Sequence, residues 1–190
     1  MVSESIKIKL IDTAISELIN GRWEQLTIKV LSTKTKITVS QINKISSSKE
    51  GLLDLWSQNI NLKILEKVTL QELEEVTIKE RILELMLCRL DVLNEHKKEI
   101  LALMKLARRS GIESIRAFER IKKSMEYILN LSGAKMAGKM GGLKIIVLSL
   151  IWVITFKEWR ESEEDDDSSV MSKLDKRLSI AEKLNNNLFI

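Results

Sequence analysis

Aliphatic side chains return every three or four positions along most of this chain, the spacing of a helix face and not the alternation of a strand. The first run covers residues 4–20, with Ile6, Leu10, Ile11, Ala14, Ile15 and Leu18 on one side, and ends at Asn20-Gly21, a natural helix C-terminus. Thr27 then stands as the N-cap of a short helix that turns Ile28, Val30 and Leu31 inward. After a turn at Lys36-Ile37, Thr38 caps a second short helix, from Val39 to about Ser46. "SSSKE" opens a long helix over 49–68. Further helical patterns cover about 78–95, 97–109, 112–132, 141–160 and 170–187, punctuated by Gly111, Gly133 and Gly141-Gly142. The expectation is an all-α protein of about nine helices, in which the first three form a helix-turn-helix head.

Composition agrees with that pattern. The 190 residues contain no Pro and seven Gly, so little interrupts a helix, and the 44% hydrophobic content can fill a core. Leu83, Met86, Leu87, Leu90, Ile100, Met104 and Leu131 supply the larger second part. The most apolar run, "IIVLSLIWVITF" at 145–156, is shorter than the roughly 20 residues that span a bilayer, so a buried helix and no membrane span is the expectation. The opening "MVSESIKIKLIDTAISEL" lacks the architecture of an export signal, and the single cysteine, Cys88, rules out an internal disulfide; both point to a cytoplasmic protein.

Charge adds a polarity. The net value is only +4, but Arg22, Lys29, Lys34, Lys36, Lys44 and Lys49 face a single acid, Glu24, over residues 22–49, whereas "ESEEDDD" lies at 161–167. The basic stretch coincides with the two short helices. There Thr38, Gln41, Asn43 and Lys44 stand where side chains reach base edges, with Gln and Asn suited to adenine and Lys to guanine or phosphate. Thr27, Lys29, Lys34, Lys36 and Lys49 would position the unit on the phosphate backbone. A solvated polar helix is the plainer reading of the same residues.

"LTIKVLSTKTKITVSQINKISSSKEGLL" resembles the N-terminal domain of TetR-type transcriptional regulators. Leu26-Thr27-Ile28 stands at that family's Leu-Ser-Leu, Leu31-Ser32 at Ile-Ala, Thr35-Lys36-Ile37-Thr38 at Ala-Gly-Val-Ser, and Ser48-Lys49, Leu52 and Leu53 at Ser-Lys-x-x-Leu-Leu. Lys36 replaces the turn Gly, Asn43 the recognition-helix Tyr and Ser46 its Phe. Beyond residue 115, Trp159, the Asp166-Asp167-Ser168 link and Leu174-Asp175-Lys176-Arg177-Leu178 resemble the C-terminal half of an α-proteobacterial TetR-like group, and also a ubiquinone-biosynthesis accessory family of TetR-like fold that holds lipid.

The resemblance implies a helix-turn-helix head at 1–48 and a helical body at 49–190 for ligand binding and dimerisation. It implies double-stranded DNA as partner, a homodimer built through 141–160 and 170–187, and a small apolar ligand in a pocket that Met86, Met104, Met125, Leu148 and Trp152 are available to line. Packing of an ordinary core is the other role open to those five. The expected function is a ligand-responsive homodimeric repressor; the alternative is a lipid- or quinone-binding accessory protein without specific DNA binding. Nothing supports an enzyme, a cofactor or a metal site. The chain has one His, His96, no Cys pair, no phosphate loop and no nucleophile–base pair, and the acidic run lacks the alternation of a calcium loop. Cys88, among Met86, Leu87 and Leu90, reads as a buried inert thiol.

Overall fold

The computed structural model describes residues 4–68, 75–161 and 167–184. Every regular element among them is a helix: α1 Glu4–Ile19, α2 Ile28–Thr35, α3 Val39–Asn43, α4 Lys49–Lys67, α5 Ile78–Asn94, α6 Lys97–Ala107, α7 Gly111–Leu131, α8 Gly138–Glu161 and α9 Asp167–Leu184. Residues 69–74 after α4, residues 162–166 within "ESEEDDD" and the final "NNNLFI" lie outside the described residues.

The chain divides into two compact units. The first takes Met1–Asn59 and His96–Arg116; the second takes Ile60–Glu95 and Ala117–Ile190. The head expected at 1–48 thus lies in a unit that also includes the first half of α4, α6 and the start of α7.

In the first unit, α1 buries Leu10, Ile11, Ala14, Ile15 and Leu18, the face its periodicity marked, and packs on α2 and α6. Trp23, Leu26, Leu31, Ile37, Ile42, Leu52, Leu53 and Leu106 complete one apolar cluster. The end of α1 is closed by Gly21 at φ 72°, which lets the Arg22 N–H reach the Glu17 carbonyl at 2.9 Å. His96 stands at the N-terminus of α6 and meets Trp56 edge-on, with centroids 5.8 Å apart.

In the second unit, α5 begins with a reciprocal cap between Thr77 and Glu80 and buries Ile82, Leu85, Met86, Val92 and Leu93. α9 packs along α8 and α5, burying Val170, Leu174, Leu178 and Ala181. Lys79 of α5 binds Asp175 and Ser179 of α9, both at 3.1 Å, and Arg177 of α9 binds Glu158 of α8 at 2.5 Å. α8 begins at Gly138, three residues ahead of the Gly141-Gly142 pair expected to open it. Gly141 does not break the helix; it admits the incoming chain. A Cβ there would stand 2.1 Å from the Met136 carbonyl oxygen, closer than any side chain tolerates.

At 24 residues α8 is twice the length of the apolar run seen in the sequence, and it meets the length and composition of a membrane span. Core helices of globular units pass the same test, and α8 buries Leu148, Ile151, Trp152 and Thr155 inside its own unit. Only 39% of its most apolar stretch is buried, however. Leu143, Ile146, Leu150, Val153 and Ile154 remain between 40 and 52% exposed.

Candidate functional site

The helix-turn-helix is held from both ends of each short helix. Thr27, in extended backbone, accepts the Val30 N–H at 3.2 Å and so starts α2. α2 ends at Lys36, whose φ of 59° and ψ of 30° are left-handed, and among the described residues it is the one non-glycine with positive φ. The position that resembles a family glycine is therefore the one where the backbone demands that conformation, at a cost for Lys of about 1 kcal/mol. α3 is short and would not persist alone. Its start is fixed by a reciprocal cap: Thr38 Oγ1 accepts the Gln41 N–H at 3.3 Å, while Gln41 Oε1 accepts the Thr38 N–H at 3.2 Å and the Thr38 hydroxyl at 2.9 Å. Its anchor is Ile42, fully buried in the core. Ser46, at the position of the family Phe, donates instead to the Ser48 carbonyl at 2.7 Å, and Ser48 accepts the Gly51 N–H at 3.1 Å at the start of α4.

The basic residues of this unit sort into two sets. Arg22 and Lys34 converge on Glu17, a buried carboxylate on α1. Arg22 gives it paired bonds of 2.9 Å and Lys34 one of 3.1 Å. Those bonds, Arg22's first, outweigh burial and hold the Glu17 carboxyl at about 2. Lys49 donates to the Trp23 carbonyl at 2.6 Å and lies over the Trp23 ring at 5.0 Å, so it ties the start of α4 to the turn after α1. Lys29, Lys36 and Lys44 form the second set; all three are exposed, and no described carboxylate pairs with them. Asn43 is exposed beside Lys44. Thr27, Lys34, Thr38, Gln41 and Lys49, named from the sequence for DNA contact, therefore each have a structural bond, whereas Lys29, Lys36, Asn43 and Lys44 are committed to none.

In the second unit, Met86, Met125, Leu148 and Trp152 are buried together in the core, while Met104 is half-buried on α6 in the first unit. A crevice of about 240 Å³ opens between Leu87, Leu90 and Asp91 of α5, Trp159 of α8, and Val170 and Met171 of α9; none of the five sequence-named residues lines it. Cys88 is a buried thiol 3.6 Å from the Glu84 carboxylate, and burial first, then that negative charge, pushes it up to about 12. Among the described residues no group of three His, Cys, Asp or Glu side chains is placed to hold a metal.

Sequence reading missed the most unusual residue of this unit, Arg89. It is buried on α5, its Nη1 donates to Asn61 Oδ1, and its guanidinium lies 5.2 Å from the centre of the Trp152 ring. Its Nε has no partner, and no described carboxylate meets it. Burial alone pulls its pKa down to about 10. Stacking on a desolvated ring returns about 2 kcal/mol and one bond to a charged group about 1.5–3 kcal/mol. Burying the ion costs several kcal/mol, so these two contacts leave the buried charge no surplus.

No family model matches the chain, and no curated protein matches it in sequence. Among solved structures it is similar to the TetR transcriptional regulator from Nitrosomonas europaea, with a TM-score of 0.63 over 94% of this chain and 98% of that one, at 17% identity. A likeness at that identity establishes the fold, and the chain has a TetR-like all-α fold.

Proposed function

We propose that the protein is a homodimeric DNA-binding transcriptional regulator whose second unit senses a small ligand. The observation that carries this is the surface of the helix-turn-helix. Lys29, Lys36 and Lys44 are exposed with no carboxylate paired to them among the described residues, Asn43 is exposed beside Lys44, and the remaining cations of the same segment are used inside the unit. Such a surface attracts a polyanion without competition from its own acids. The cap on α3 holds that short helix ready to enter a major groove, with Asn43 and Gln41 the side chains able to contact base edges. The similar solved structure is titled a transcriptional regulator, which agrees.

A second copy of the chain is the partner that α8 and α9 fit. Leu143, Ile146, Leu150 and Val153 recur at three- and four-residue intervals on the uncovered side of α8, and Ile180 and Leu184 are exposed on α9. That is the seam of a helix bundle, and a two-fold axis would make the same face serve on both protomers. Two heads would then address half-sites about 34–36 Å apart, and ligand binding would shift the population between two head spacings. The buried, inert Cys88 suits residence in a reducing cytoplasm.

Two variants test the proposal. Lys44→Ala should weaken duplex binding for all sequences and lower the salt dependence by about one unit of slope. Leu150→Glu should convert a dimer into a monomer in sedimentation velocity. A wild-type protein that binds no duplex at low salt while carrying lipid out of the cell would favour the accessory-protein reading instead.

A further inference from the structure

Arg89 asks for something the chain does not supply. It sits in the core of the second unit with a neutral amide and an indole for company, and its Nε has no acceptor. Carboxylates of this unit serve other groups: Asp175 binds Lys79, Glu158 binds Arg177, Glu95 binds Lys67, and Glu84 accepts the Cys88 thiol. A lone buried cation is a poor way to stabilise a core, since a hydrophobic residue of similar volume does as well or better. It is a good way to receive an anion in a site that excludes water.

We infer that the second unit binds a small apolar molecule bearing a single carboxylate, whose head group pairs with Arg89 beside Trp152. The chemistry follows from the residues. One guanidinium balances one negative charge. With Nη1 given to Asn61, the Nε side of the planar fork is left for a planar acceptor, which a carboxylate is. The same unit buries Ile60, Ile64, Met86 and Leu148, which are aliphatic or thioether, so a ligand whose charge meets Arg89 would carry an apolar remainder. This rests on the reading of the second unit as the ligand-sensing part and names the class of ligand.

The test compares octanoate with octanol, which share a chain and differ in the charged head, on the purified full-length protein. Trp fluorescence and thermal unfolding report binding, and duplex binding is measured separately on the same samples. Wild-type protein should saturate with octanoate at concentrations at least tenfold below those needed with octanol. Arg89→Met should lose that preference while its unliganded midpoint of unfolding stays at or above the wild-type value. Arg89→Lys keeps the charge without the fork, and should weaken octanoate about tenfold; it keeps the test decisive if the Met variant does not fold. Equal response to both ligands in the wild type, or an Arg89→Met variant that still prefers octanoate, overturns the inference. A protein that binds duplex yet shows no octanoate preference overturns this inference alone. One that selects octanoate and ignores DNA supports it and removes the regulator reading.

Discussion

Gln41 holds Thr38 in place: its side-chain oxygen accepts both the Thr38 backbone N–H, at 3.2 Å, and the Thr38 hydroxyl, at 2.9 Å. Gln41, one of the proposed base contacts, is thus also the residue that starts the helix. Gln41→Ala should lower stability by about 1 kcal/mol through the lost cap and weaken DNA binding as well. Gln41→Glu separates the roles. A carboxylate keeps the reciprocal cap and suits a helix N-terminus, so thermal stability should hold within about 0.5 kcal/mol while DNA affinity falls through repulsion from phosphate. Calorimetry and duplex titration of the two variants check this; a Glu variant that binds like wild type would remove Gln41 from the interface.

Acid sensitivity of the first unit should follow Glu17. Its carboxyl lies at about 2 in the folded chain against 4.5 as an ordinary carboxyl, chiefly because Arg22 binds the ionised form. The resulting stability is complete above pH 4.5 and is lost as pH falls toward 2. Glu17→Gln should flatten that acid limb and lower stability at pH 7 by on the order of 2 kcal/mol, since two cations lose a charged acceptor. Urea unfolding from pH 7 to pH 2 measures both, and an unchanged acid limb would show that other groups govern it.

The second unit should be intolerant of a single methyl at Gly141. A Cβ would meet the Met136 carbonyl, which is backbone and cannot swing aside, so Gly141→Ala should cost about 1–3 kcal/mol. Gly142, where nothing lies within 4 Å of the added carbon, is the control, and Gly142→Ala should be neutral or slightly stabilising.

Cys88 should resist thiol reagents in the native state. A thiol pushed up to about 12 by burial and by Glu84 carries almost no thiolate at pH 8. Labelling should proceed only as fast as the second unit opens, and denaturant should accelerate it by orders of magnitude. Rapid native labelling would contradict the buried placement.

The sequence was most legible where a residue's chemistry is local. Thr27 and Thr38 announce helix starts because a short hydroxyl can reach the next turn, and both cap as their spacing indicates. The period of Leu10, Ala14 and Leu18 marks a buried face by itself. Gly141 was legible only as punctuation, because the constraint on it comes from a carbonyl that folds back from the preceding loop. The site was half legible. Lys29, Lys36, Asn43 and Lys44 stay exposed as a basic surface requires, yet nothing local told that Lys34 would turn back 17 residues to Glu17, or Lys49 26 residues to Trp23. Nothing in the sequence singles out Arg89, since its burial depends on Asn61 and Trp152 arriving from other helices.

The central claim is that an exposed, uncompensated basic surface around α3 reads duplex DNA as part of a dimer. The most direct measurement is selection of the purified protein against random-sequence duplex, repeated over a salt series. The account predicts a palindromic motif with half-sites about one helical turn apart, bound with an affinity that falls steeply with salt. Weak binding without sequence preference, unchanged by Asn43→Ala or Lys44→Ala, would contradict it.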